Sequence, residues 1–137
     1  MFRGTKHIPT LGSLALLGAL LIAPAAARNL GKASDQPVSL VDYKFQPGAI
    51  HLAAGKPVVL RLSNNAQQPH EFAAPEFFAS ATVSPPNAKF INREGEVEVA
   101  PGQHVDVGLV PKAGTYHLQC NKPGHAALGM KGTIIVK

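Results

Sequence analysis

Between Cys120 and Met130 the chain reads Cys-Asn-Lys-Pro-Gly-His-Ala-Ala-Leu-Gly-Met. This segment holds the chain's single cysteine and, Met1 aside, its single methionine. Stretches of strand character flank it. Tyr116 and Leu118 fall on the same side as Cys120 in Thr115–Cys120, and Gly132-Thr133-Ile134-Ile135-Val136 follows Met130. A thiol, an imidazole and a thioether are thus confined to one loop between neighbouring strands. Pro123 and Gly124 restrict that loop, and Gly129 lets its backbone approach closely whatever the side chains surround. A loop joining two neighbouring strands can project these three donors toward a common point.

The remainder of the chain shows the same alternation. Val41, Tyr43 and Phe45 alternate with Asp42 and Lys44 in Val38–Phe45. Short apolar segments follow at Ala49–Ala53, Val58–Leu62 and Pro69–Ala73. Val97 and Val99 then alternate with Glu96 and Glu98, and Val105, Val107 and Leu109 with His104, Asp106 and Gly108; Glu94, Glu96 and Glu98 read as a solvated acidic strand edge. Period-two patterning with Gly/Pro punctuation at this spacing predicts an all-β, antiparallel sandwich or barrel. Twelve prolines and thirteen glycines exclude a helical bundle. The stretch 75–93, with Pro85-Pro86, reads as a long loop or one holding a turn of helix.

The N-terminus has its own composition. Arg3 and Lys6 precede an apolar run from Leu11 to Ala23, and Pro24 leads into Ala25-Ala26-Ala27. A basic start, a short apolar centre and small residues at the end predict a secretory signal peptide over 1–27. The run is shorter than the ~20 apolar residues of a spanning helix. No paired arginine marks a twin-arginine route, so a Sec-type export to the periplasm, or secretion, is expected. Cys120 is far from the cleavage point, so no lipid anchor is expected either. The expected layout is a signal peptide at 1–27, a polar flexible leader at 28–36 and one domain at 37–137.

Without Arg3 and Lys6 the formal charge falls by two, from +5 to +3, and the basic residues are scattered. This excludes a nucleic-acid surface. One cysteine excludes an internal disulfide. A free thiol in an oxidising compartment is a liability unless it is buried, reactive or metal-bound.

The last option has the strongest support. Two imidazoles and a thiolate in a trigonal plane, with a weak axial thioether, describe an electron-transfer copper centre. Cys120 supplies the thiolate, His125 one imidazole and Met130 the distant sulfur. His70, in Pro69-His70-Glu71-Phe72 after an Asn-Asn-Ala-Gln-Gln turn, is the best second imidazole. His104 and His117 alternate outward from apolar neighbours, and His51 lies near a turn. Zinc is the rival metal, but Met is not among its usual ligands.

The run Tyr116-His117-Leu118-Gln119-Cys120 through Met130-Lys131-Gly132-Thr133-Ile134-Ile135-Val136 resembles the C-terminal copper loop of the cupredoxin superfamily. In its four-residue gap between Cys and His it is most like auracyanin and sulfocyanin. Pro69-His70-Glu71-Phe72 resembles the superfamily's first-histidine strand. The resemblance implies a Greek-key β-sandwich and one type 1 copper ion held by His70, Cys120, His125 and Met130. It also implies that His125 is the exposed ligand. Many relatives carry asparagine after the first histidine, where it clamps the cysteine loop; here Glu71 stands, to clamp differently or to sit near the metal. Pro69 implies four ligands rather than five.

The implied function is copper-dependent electron transfer, cycling Cu(I) and Cu(II) between exported redox proteins. Ala126, Ala127 and Leu128 would form an uncharged docking patch around His125 on a monomer with no membrane segment after cleavage. The alternative is a periplasmic copper carrier or chaperone without a redox role, though no Met-rich or His-rich tract favours it. An enzyme is not expected. A Cys/His hydrolase needs an orienting acid and a cleft that nothing here singles out.

Overall fold

A computed structural model describes residues 32–137. The signal peptide expected over 1–27 lies outside the described residues. Two five-stranded sheets face each other. One has the order β2-β1-β4-β8-β6 and the other β3-β10-β9-β5-β7. The strands are β1 Ser34–Val41, β2 Lys44–Gln46, β3 Ala49–Leu52, β4 Val58–Asn64 and β5 His70–Ala73, then β6 Thr82–Val83, β7 Glu96–Val99, β8 His104–Val110, β9 Gly114–Gln119 and β10 Lys131–Val136. From β2 to β9 every connection crosses between sheets. This is the all-β Greek-key sandwich that the resemblance implied.

The core follows from alternation. Val58, Leu60 and Leu62 on β4, Val107 and Leu109 on β8, and Ile134 and Val136 on β10 all point inward and are buried. Each such side chain contributes roughly 1.5–3 kcal/mol. With no tryptophan in the chain, phenylalanines are the largest fully buried side chains. Phe72 meets Phe45 edge-on at 6.0 Å between centroids and Phe78 at 5.9 Å.

Three expectations need correction. The strand order is mixed rather than antiparallel, because β1 runs parallel to β4 and β10 parallel to β3. Alternation reports which face a residue takes and not the direction of its neighbour. β1 begins at Ser34, so the last three residues of the expected leader are strand. The inward set on β1–β2 is Val38, Leu40 and Phe45, whereas Val41 and Tyr43 are half-buried. Tyr43, at φ 57°, turns the chain with Asp42 and resets the alternation. Within 75–93 lie two short helices, α1 Pro75–Ser80 and α2 Pro85–Ala88, each with proline in its first turn. There its missing N–H would have no intrahelical partner. Among the described residues no helix is long and apolar enough to cross a membrane.

Candidate metal centre

The site forms where β5 begins and β9 ends. Asn64, at the end of β4 and 1 % exposed, fixes the approach to His70. Its side-chain amide donates to the carbonyls of Gln68 and Val99, both at 2.8 Å, and its Oδ1 accepts from the Ala66 N–H. His70 is thereby delivered to the interior from a laced turn. On the other side, the loop after β9 closes on itself. The Cys120 N–H donates to the Met130 carbonyl at 3.1 Å, and the Met130 N–H to the His125 carbonyl at 3.0 Å. Gly124 at φ 82° and Gly129 at φ 103° take left-handed turns inside the loop. A side chain on Gly129 would come no nearer than 4.0 Å to its closest neighbour, the Tyr43 carbonyl. Backbone conformation, rather than the close approach expected, therefore calls for glycine there.

Three donors converge. His70 Nδ1 and His125 Nδ1 are 3.1 Å apart. Cys120 Sγ lies 3.9 Å from the first and 3.5 Å from the second. An ion bonded to two nitrogens at about 2.0 Å and to sulfur at about 2.3 Å in a trigonal plane separates the nitrogens by ~3.5 Å and each from sulfur by ~3.7 Å. The observed triangle has that size, so these residues fit a borderline or soft metal ion. All three are buried: Cys120 is 0 % exposed, His70 1 % and His125 7 %. Burial holds His70 below the usual histidine range, His125 pushes the same way, and Asp42 opposes them. A neutral ring keeps a lone pair for a metal.

Met130 is fully buried at the end of the same loop. His125, expected as the exposed ligand, is more accessible than His70 yet still buried. Tyr43 packs edge-on against its ring, with centroids 5.2 Å apart. His51, His104 and His117 are exposed and lie outside the cluster.

Two features of the surroundings were not foreseen. The Glu71 N–H points at Cys120 Sγ, 3.4 Å away, and hydrogen bonds to such a sulfur tune a copper centre. The Glu71 carboxylate forms an ion pair with Lys122 at 3.0 Å, and Lys122 also reaches Glu98 at 2.5 Å. Glu71 thus holds the cysteine loop through a lysine. Glu98 and Glu96, expected as a solvated strand edge, contribute as well: Glu96 accepts from Asn121 and Asn92. Those two amides hold the Glu96 carboxyl below its ordinary range, Asn92 most strongly.

A family model described as a cupredoxin-like domain matches residues 13–136. The chain belongs to this family. No curated protein matches it. Among solved structures, this cupredoxin is similar to a dithionite-reduced auracyanin from Roseiflexus castenholzii, with 17 % identity and TM-score 0.57 over 78 % of this chain and 99 % of that one. Auracyanin B is similar at 21 % identity and TM-score 0.55, covering 80 % and 92 %. The multicopper oxidase McoA from Aquifex aeolicus shares the fold at 18 % identity and TM-score 0.61, over 80 % of this chain and 30 % of its own. At these identities the likeness is one of fold, and the metal site rests on the geometry above.

Proposed function

We propose that this cupredoxin is an exported one-electron carrier that binds a single type 1 copper ion through His70, Cys120, His125 and Met130. The observation that carries the reading is the buried triangle of two Nδ1 atoms and one Sγ, drawn from β5 and from the loop after β9. Copper, when bound, would supply a one-electron couple. The protein's part is to hold the donors in nearly one arrangement and exclude water, so that little reorganisation opposes each transfer. Met130, buried at the end of the loop, would supply the weak fourth donor.

The His125 edge is the electron route. Leu128, 62 % exposed, and Ala127 beside it offer partner proteins an uncharged surface close to that ring. The monomer passes electrons between exported redox proteins in the periplasm or outside the cell, after removal of 1–27.

Reconstitution of Arg28–Lys137 with Cu(II), followed by an absorption spectrum and a redox titration, tests the reading. A strong cysteine-to-copper charge-transfer band near ~600 nm that bleaches reversibly on reduction is expected. Binding of zinc alone, or of Cu(II) without the band, overturns the type 1 assignment. Irreversible bleaching with release of Cu(I) to an acceptor would favour a copper carrier without a redox role.

A further inference from the structure

The two strands that supply the metal donors are neighbours in one sheet yet share almost no backbone pairing. β5 carries His70 and β9 leads into Cys120, yet they share a single bridging pair, Ala73 with Gln119. β9 is laddered on its other side to β10 over six pairs, and β5 to β7 over four. Continued in register toward the site, the β5–β9 ladder would set Glu71 against Asn121 and His70 against Lys122. It stops short of them, and the Glu71 N–H turns instead toward Cys120 Sγ. Backbone pairing therefore leaves the spacing between His70 and Cys120 unfixed.

Side chains bridge that gap. Glu71 and Glu98 are directly opposed partners on β5 and β7, an arrangement in which like charges repel. Lys122 reaches from the cysteine loop to both carboxylates. Its ammonium is held above the ordinary lysine value, by Glu98 first and Glu71 next. One residue earlier, Asn121 donates to Glu96 and accepts from Gln119 at 2.6 Å. The β5–β7 pair thus presents a row of acceptors that the start of the loop fills. Partial burial strengthens the inner contact, since Glu71 is 14 % exposed and Lys122 25 %.

We propose that Lys122, with Glu71 and Glu98, is a latch that positions the Cys120–Met130 loop against the His70 strand and sets the charge felt at the metal site. The charge part rests on the copper reading above; the positioning part does not. Lys122 is a positioning residue, acting through Cys120 and His125. The two roles have separate signatures. Lys122→Met breaks both contacts and Glu71→Gln the inner one alone, so both should loosen the loop, the first more than the second. Charge acts in opposite senses. Without the ammonium, two carboxylates favour the more positive, oxidised metal, and the potential falls. Without the Glu71 charge, it rises.

The test uses Lys122→Met, Glu71→Gln and Lys122→Arg, with Arg61→Gln on the other sheet as a control for loss of one surface cation. In the metal-free protein, amide hydrogen exchange across 120–130 should quicken for the first two variants and stay near wild type for the other two. In the copper-loaded protein, the first two should bind the ion about 10–100-fold more weakly, as with other supporting contacts behind metal ligands, and Lys122→Arg should restore it. Their potentials should move in opposite directions. Unchanged exchange and affinity in a wild-type protein that shows its charge-transfer band would overturn the latch and leave the copper reading intact. Quickened exchange in a protein that shows no band would support the positioning role while overturning the copper reading and the charge role with it. Potentials that shift in the same direction would overturn the charge role.

Discussion

Among the described residues two cations each bridge two carboxylates, Arg61 on one sheet and Lys122 in the loop that leaves the other. Arg61 contacts Asp35 at 3.0 Å and Asp106 at 2.6 Å; Lys122 contacts Glu71 and Glu98. Their chemistry is alike and their settings are opposite. Arg61 sits mid-strand on β4, whose ladder runs over seven pairs to β1 and six to β8. Its geometry is decided before any side chain meets, and Arg61 itself is 48 % exposed. Lys122 lies where the ladder between β5 and β9 has ended. An ion pair shapes a structure most where the backbone has left something undecided. At the Arg61 end of the comparison nothing is undecided; at the Lys122 end it is the spacing of metal donors.

The widest separation between these regions comes from deleting the donors themselves. Cys120→Ser should abolish the ~600 nm band outright, because the transition belongs to the copper–thiolate bond. The sheets, held by their own core, should keep the far-ultraviolet dichroism of wild type. His70→Gly should open an equatorial position that added imidazole partly refills. His51→Gly, His104→Gly and His117→Gly should leave the spectrum nearly unchanged, since all three rings are exposed and outside the cluster. Loss of the band in one of those three, with His70→Gly spared, would put the β5 strand out of its role.

A smaller effect is expected at Met130. Met130→Leu replaces a weak donor with a purely apolar side chain, so the potential should rise while copper stays bound, and Met130→Gln should lower it. Loss of copper in both variants would make Met130 a primary ligand, or mean that the loop is built differently.

Acid should tell the regions apart in the metal-free protein. His70 is held below its ordinary value chiefly by burial. The unfolded chain therefore takes up the proton more readily than the native one. Stability should be full above the unfolded value, near 6.5, and fall as the pH drops through and below it. Arg61 is raised above an already high value, so its contribution is present throughout this window. Denaturant midpoints measured between pH 5 and pH 8 check this. His70→Gln should flatten the slope, and a slope that survives the change would place its origin elsewhere.

The loop donors and the β-sandwich around them are written locally, whereas His70, 50 residues before Cys120, is named through the resemblance of its Pro69-His70-Glu71-Phe72 segment. Cys120, His125 and Met130 lie within one loop, and inward residues such as Val58, Leu60 and Leu62 alternate. What sequence did not show depends on contacts between distant segments. Nothing in Ser34–Val41 announces that it will run parallel to β4. The buried role of Asn64 was hidden in a run that reads simply as a turn, since an asparagine's burial depends on the carbonyls of Gln68 and Val99 arriving beside it. Glu96 and Glu98 looked like a solvated edge for the same reason. Their partners, Asn121 and Lys122, are 25 and 24 residues away. The one local hint was Glu71, where the superfamily often has asparagine. A changed residue at a clamp position asks for a changed partner, and a lysine two residues after the cysteine was available to answer.

The smallest effect should come from Arg61, and its smallness is informative. Arg61→Gln breaks two short, well-aligned contacts, 2.6 Å and 3.0 Å, while Lys122→Met breaks two of similar length. If contact geometry alone governed what an ion pair does, the two variants would behave alike. Surface pairs, however, give up side-chain entropy to form and are screened by salt. Around Arg61 the strands are already fixed by their ladders. Arg61→Gln should therefore leave the thermal midpoint within measurement error at physiological salt, with hydrogen exchange across β1, β4 and β8 unaltered. Any difference should be faint, confined to low ionic strength and removed by salt. Substantial loss of protection along β4 would mean that its ladder needs the arginine. The distinction between a pair that decorates a finished sheet and one that completes an unfinished one would then fall.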